Sequence, residues 1–266
     1  MRRIGLTILL TLACAVHIFC LTTINGLAQE KTTINGLAQE KTTLSEFAQE
    51  NLTWKIGERL EYRVEIKGIS VGKQVFTVVG ETLYEGHPVY HIKMEIASYA
   101  ALSLFYKFSE ENEMYLDKST LYPRYIRREI KEKKEHKTEE IKISFTEKQI
   151  EMIRYKEGEV KKKVFAMNEP CLENLSLVYY LRSRPWQRGE ESILFLTSRG
   201  PQVYNFGFAG TEEVSSPYQR MEADRIEDAN SKITVWISKD KGAIPVMIRA
   251  ATDIGVINSR LVKMKQ

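Results

Sequence analysis

The sequence predicts a mainly β protein: a single curled antiparallel sheet, or half-barrel, packed on one central α-helix. From Arg59 onward, apolar and charged residues alternate with period two in roughly a dozen short runs, as half-buried strands do. Only residues 170–184 carry a helical stripe of comparable quality. No Pro- or Ser-rich linker or shift in composition divides the body after Leu52, so the runs belong to one domain. A parallel α/β sheet would need a helix at most of its crossovers. A long antiparallel meander curls instead, and a lone helix can fill its inner face.

The chain opens with Met1-Arg2-Arg3 and an uncharged run over residues 4–21, the basic and apolar regions of a secretory signal. Gly5, Thr7, Thr11, Cys14 and His17 dilute that run, which argues against a retained membrane helix. The small residues Gly26 and Ala28 suit a signal peptidase. TTINGLAQEK then occurs twice between Thr22 and Lys41, with a decayed third LAQE at Phe47-Ala48-Gln49-Glu50. A polar ten-residue unit with an Asn-Gly turn is too short for a solenoid repeat. The expected organisation is a cleaved signal over 1–28, a disordered repeat spacer over 29–52, and one β-rich domain over 53–266. Cleavage after Ala38 is the rival to cleavage after Ala28, and neither Cys14 nor Cys20 has the upstream residues of a lipid anchor. The expected location is the periplasm or another exported compartment.

In the body, Leu60, Tyr62, Val64 and Ile66 alternate with Arg59, Glu61, Arg63 and Glu65, which predicts a first strand. Gly68 turns the chain into a return strand over 69–79. Gly86-His87-Pro88 interrupts it before Tyr90, Ile92, Met94 and Ile96 resume the alternation. Residues 97–108 read as a short helix or irregular crossover. Strands follow over 113–116, 121–130, 140–145, 149–155 and 160–166, the last two split by Glu157-Gly158. Asn168-Glu169-Pro170 supplies an N-cap and a first-turn proline. Leu172, Leu175, Ser176, Tyr179 and Tyr180 recur at helical spacing, Arg182 and Arg184 suit the carboxyl end, and Pro185 stops the helix. Beyond Gly189, strands are expected over 193–197, 202–210, 220–226, 232–238, 244–250 and 254–261, with Asp240-Lys241-Gly242 as a turn.

Gly57-Glu58-Arg59-Leu60-Glu61-Tyr62, Ile69-Ser70-Val71-Gly72, Leu121-Tyr122-Pro123, the run from Leu175 to Arg182, Val235-Trp236-Ile237-Ser238, Ile244-Pro245-Val246 and Ile254-Gly255-Val256 occur in an order and spacing that resemble the DUF3108 family of exported bacterial proteins. That resemblance implies an exported, β-rich domain and brings no reaction or catalytic residues with it. A curled sheet around a helix is also similar in architecture to periplasmic carriers of the LolA/LolB type, an analogy of fold rather than function.

Chemistry is sparse. No GxSxG, P-loop, HExxH or dinucleotide motif occurs. His87 and His91 are four apart, but along a strand that is about 13 Å, too far for one ion. Asp224, Glu227 and Asp228 read as a solvated turn, with an acid pair or loose cation site as the sharper alternative. Cys171 reads as a small buried hydrophobe. Lys and Arg are interleaved with Glu at a formal charge of +4, without the aromatic-rich basic block of a nucleic-acid binder. No nucleic acid, cofactor or metal is expected; anionic lipid headgroups or polysaccharide are the partners this mild bias favours. The aromatics Phe105, Tyr106, Tyr179, Tyr180, Trp186, Tyr204 and Phe206 are core by the plainer reading. By the sharper one they line a groove beneath the helix, which would act as its cover. The expected function is non-enzymatic: binding a hydrophobic or amphiphilic envelope component in that groove. The alternative is an adaptor module that binds an envelope protein or glycan through its sheet surface.

Overall fold

The computed structural model describes residues 52–103, 107–186, 189–216, 220–230, 232–252 and 255–265. The expected signal peptide, nearly all of the repeat spacer, and Phe105 and Tyr106 lie outside the described residues. The first half of the domain contains β1 (Arg59–Ile66), β2 (Ile69–Tyr84), β3 (His87–Ser98), α1 (Ala100–Ser103), β4 (Phe108–Asp117) and β5 (Pro123–Glu132). Next come β6 (Glu135–Ser144), β7 (Gln149–Lys156), β8 (Glu159–Ala166) and α2 (Asn174–Arg182). The second half is β9 (Glu190–Thr197), β10 (Gly200–Ser215), β11 (Arg220–Asp228), β12 (Ile233–Ser238), β13 (Pro245–Thr252) and β14 (Gly255–Lys265).

All fourteen strands form one antiparallel sheet in the order β8-β7-β6-β5-β4-β3-β2-β1-β14-β13-β12-β11-β10-β9. Two meanders therefore grow outward from a shared centre, where β1 pairs with β14. Tight turns enforce the meander. Lys67-Gly68, Glu85-Gly86 and Glu157-Gly158 each place two successive residues at positive φ, the two-residue hairpin geometry whose twist matches the flanking strands. Register shifts at Val64/Glu65, Val78/Gly80, Tyr115/Leu116 and Trp236/Ile237 mark bulges, which bend the strands and help curl the sheet.

The curl is also a requirement of connectivity. In a flat sheet β8 and β9 would lie thirteen strand spacings apart, about 60 Å. The link between them includes α2, whose nine residues span only about 13 Å. The sheet wraps until its edges approach. Leu172, in that link, forms a parallel bridge with Phe195 of β9, and the Met167 amide donates to Lys148 O beside β7. Lys163 Nζ on β8 donates to Ser198 O at 3.3 Å. Gly200 sits so close to Phe165 that a Cβ would stand 2.8 Å from the ring, and its φ of +116° suits only glycine. The edges meet there without forming a ladder, so the sheet remains a half-barrel.

α2 crosses the concave face, and every residue from Leu175 to Arg182 is buried. The segment expected to cover a groove is thus the innermost element of the fold. It also starts later than Pro170. Glu173 is the N-cap: its carboxylate accepts from the amides of Leu175 and Ser176, while Ser176 Oγ accepts from the Glu173 amide. This capping box, with acid and hydroxyl exchanged, outcompetes the Asn168-Glu169-Pro170 signal because Leu172 is held in the bridge to β9.

Outside the sheet, opposite charges face each other across strands, as in Lys93–Glu113 at 2.6 Å and Lys73–Glu61 at 2.6 Å. Such exposed pairs contribute about 0–1 kcal/mol each. The solvated turn expected at Asp224, Glu227 and Asp228 is instead the end of strand β11, and Asp228 is buried and accepts from the amides of Asn230, Lys232 and Ile233, fixing the β11–β12 turn. Asp117 does the same for β4–β5. It takes the amides of Ser119 and Thr120 on Oδ1 and Arg124 Nε on Oδ2 at 2.6 Å. Burial pushes its carboxyl up, but the Ser119 and Arg124 contacts outweigh burial and hold it below the ordinary aspartate range. A depressed folded value stabilises above the unfolded one and is lost as pH falls through the folded one. Asp117→Asn is therefore expected to cost about 1.5–3 kcal/mol at pH 7 and to flatten the fall in stability below about pH 4. Urea unfolding between pH 2 and 7 checks this; parallel wild-type and variant curves would contradict it.

Candidate functional site

The strand alternation that builds the core also sets which side chains face α2. One cross-strand row runs Phe76, Met94, Asn112, Arg128, Glu139, Arg154 from β2 to β7, each the register partner of the next. The row is apolar at one end and charged at the other. Its charged end meets the start of α2: Arg128 Nη2 lies 2.5 Å from Glu173 Oε2, Arg128 Nη1 lies 3.9 Å from Glu139, and Arg154 Nη2 pairs with Glu139 at 2.7 Å. Glu139, Arg128 and Glu173 are all buried, so the Arg128–Glu173 pair is shielded from water, while the partly exposed Arg154 balances Glu139 from the solvent side.

Between this row and α2 lies a narrow cleft, partly open to solvent, with an enclosed volume of about 40 Å³. Leu175, Leu177 and Val178 form its helix wall; Ile233, Val235, Ile248 and Ala250 form the wall from β12 and β13. Phe76 and Met94 floor it, and Gln74, Glu110, Asn112, Arg128 and Asn174 bring polar groups into it. Asn174 and Ala250 are partly exposed and mark the mouth, whereas Gln74 and Asn112 are enclosed at 0% and 2% exposure. The mixture of many apolar and few polar groups is characteristic of small-molecule sites, in a space that as it stands holds only a few water molecules.

The aromatics singled out from sequence stand elsewhere. Tyr179 packs edge-on against Trp54 at 5.1 Å, beside the Arg182–Glu58 pair that anchors the helix end. Tyr180 donates to Glu191 Oε1 at 2.6 Å and lies under Arg184; burial pushes its hydroxyl far above the ordinary tyrosine range. Trp186 Nε1 donates to Leu181 O, closing the carboxyl end of α2. Tyr204 and Phe206 stack with each other, and Tyr204 packs on Phe195. The structure brings these residues into several packing groups and places none of the five in the cleft lining. Cys171 is buried, which pushes its thiol up and leaves it unreactive.

The cleft residues that sequence reasoning missed had a signal of their own. Gln74, Asn112 and Arg128 are polar residues at positions whose parity otherwise holds Phe76, Met114 and Ile126. A polar side chain on the dry face of a strand must find a partner or a ligand.

No helix among the described residues is long and apolar enough to cross a membrane. The family model described as "Protein of unknown function (DUF3108)" matches residues 61–262. No curated protein matches the sequence. In structure the chain is similar to a β-barrel-like protein of the domain of unknown function DUF1849 from Brucella abortus. That likeness has a TM-score of 0.50 at 8% identity, covering 79% of this chain and 97% of that one. A protein from Bacteroides fragilis described as exported and YmcC-like in fold aligns at TM-score 0.31 and 9% identity, over 80% and 97% of the two chains. The first likeness is one of fold alone.

Proposed function

The chain belongs to the DUF3108 family, whose description assigns no activity, and from the geometry of its cleft we propose that it is an exported binding protein for a hydrophobic or amphiphilic envelope component. It acts by holding its ligand rather than converting it. The observation that carries this reading is the cleft itself: apolar walls from α2, β12 and β13, a partly exposed mouth, and polar groups enclosed within. Arg128, the cation of its lining, is engaged by Glu173 and Glu139, which suits a site that shelters a molecule from water. Export is supported by the basic, then apolar, leader.

Purified protein is expected to take up a fluorescent apolar probe, 1-N-phenylnaphthylamine, in a saturable manner. Ala250→Trp places an indole at the mouth of the cleft, at a partly exposed position where added bulk costs little stability. It is expected to weaken uptake by about tenfold or more with the urea midpoint nearly unchanged, about the effect of losing one well-buried apolar contact. Absence of saturable uptake by the wild-type protein, or equal uptake by Ala250→Trp, would refute the binding reading. Recovery of the chain from the cytosol with its leader attached would refute export.

A further inference from the structure

At one end of the half-barrel the β1–β2 turn, the connection that carries α1 between β3 and β4, and the β5–β6 turn form a continuous rim. The Tyr99 amide donates to Val71 O on β2 at 3.1 Å, and the Lys133 amide donates to Lys107 O at 2.8 Å. The start of β14 abuts the first turn, where a Cβ on Gly255 would lie 3.3 Å from Lys67 Cε. This rim leaves apolar side chains in water. Ile69, Tyr99 and Val256 are 48%, 37% and 41% exposed, and Ala100 and Ala101 are exposed beside Tyr99. Apolar groups gathered on one edge of a molecule mark a contact surface.

The charges of the rim say what it contacts. On the strands, lysines face glutamates, as in Lys73–Glu61 and Lys93–Glu113. Lys67, Lys107 and Lys134 stand exposed on the rim and form no ion pair among the described residues. Of the acids that flank these turns, Glu65 lies 2.8 Å from Arg63 and 3.3 Å from Arg260, Glu135 lies 2.8 Å from Lys156, and Glu132 is half-buried. The rim therefore combines exposed apolar side chains with uncompensated ammonium groups. An anionic lipid surface takes up both, the first in its headgroup layer and the second against its phosphates. Tyrosine suits that layer, since its ring is apolar and its hydroxyl polar. A protein partner fits less well: three large apolar side chains spread among lysines supply little of the roughly 800 Å² that each side of a stable protein interface buries.

We propose that the rim of Lys67, Ile69, Tyr99, Lys107 and Lys134 docks the protein on an anionic lipid bilayer. The mouth of the cleft lies at the same end. Ile233, Ala250, Ile257, Ile66 and Ile69 are successive register partners from β12 through β13, β14 and β1 to β2, so Ala250 at the mouth and Ile69 on the rim belong to one cross-strand row. Docking by the rim brings that mouth to the headgroup layer. This consequence rests on the binding function proposed above; the docking itself does not.

Co-sedimentation with sucrose-loaded vesicles tests this, using protein recovered after export and free of its apolar leader. Vesicles of phosphatidylcholine with about one-third phosphatidylglycerol are expected to bind it at least about tenfold more tightly than phosphatidylcholine alone at about 0.1 M salt, and to release it near 1 M salt. The double variant Lys107→Gln with Lys134→Gln is expected to weaken binding to the anionic vesicles by about tenfold or more, at about fivefold per lysine. Ile69→Ser with Tyr99→Ser is expected to weaken it by about tenfold through lost apolar burial. All four side chains are exposed, so the urea midpoint and the uptake of 1-N-phenylnaphthylamine should stay close to wild type, which also shows that the variants are folded. Equal binding to neutral and anionic vesicles, no binding to either, or undiminished binding by both double variants would overturn the docking. Probe uptake without vesicle binding sinks the docking and spares the binding function; vesicle binding without uptake does the reverse.

Discussion

Arg182→Met is expected to lower the unfolding free energy by about 3–5 kcal/mol, because it strands a carboxylate in the interior. Arg182 and Glu58 are 0% and 2% exposed at their side chains and pair through both oxygens, at 2.7 and 2.9 Å. The guanidinium also donates to Ala243 O and Gly242 O. Its flat faces lie near Trp54 and Tyr179, at 5.5 and 5.6 Å from the ring centres. Burial alone would make Arg182 easier to deprotonate; the Glu58 carboxylate outweighs burial and holds the cation. One side chain thus ties the last turn of α2 to the start of β1 and to the β12–β13 turn, and as a cation it suits the helix carboxyl end. The double variant Arg182→Met with Glu58→Leu removes both charges, and urea unfolding should show it recovering most of the loss. A single-variant cost below about 1 kcal/mol, or a double variant no better than the single, would show that the pair does not anchor the helix.

How much of this was legible in the sequence depends on how local each determinant is. Leu60, Tyr62, Val64 and Ile66 alternate within eight residues, and the structure puts all four inside. Gly68, Gly86 and Gly158 close hairpins where the sequence places turns, since positive φ is a demand that glycine meets by itself. The pairing of β1 with β14 joins residues about two hundred positions apart and leaves no local trace. The return strand from Ile69 was expected to stop near Val79, yet β2 continues to Tyr84, because the bulge at Val78/Gly80 shifts the pairing without ending it. The helix start was hidden for another reason. Glutamate is an uncommon N-cap, and what favours Glu173 over Asn168 lies far away in sequence: the bridge from Leu172 to Phe195 on β9, and Arg128, forty-five positions earlier, which holds the Glu173 carboxylate. The aromatics drew attention because of their size, but large rings mostly fill cores. The cleft was written in smaller signs, a glutamine and an asparagine on the wrong face of their strands. Those become visible only once the inward parity of each strand is settled.

Glu173→Ala carries the second large effect, expected at about 3–5 kcal/mol, and it decides whether α2 is an anchored element or a moving cover. The carboxylate serves two purposes. Oε1 accepts the Leu175 and Ser176 amides at 2.9 and 3.0 Å, a cap worth about 1 kcal/mol. Oε2 holds Arg128, buried beside it, and truncation removes that ion's nearest counter-charge. Glu173→Gln keeps an oxygen for the cap and loses the charge, so it should fall between wild type and alanine, recovering about 1 kcal/mol. With Glu173 locking one end and Arg182 the other, α2 opens only when two buried ion pairs break together. Its amides are therefore expected to exchange with solvent near the rate set by global unfolding, at the slow end of the range for a folded domain. A ligand would then enter by the mouth between Asn174 and Ala250 while the helix stays in place. Exchange of the 175–181 amides many orders of magnitude faster than that of β1, or a Glu173→Ala cost no larger than the loss of a cap, would instead make the helix a gate.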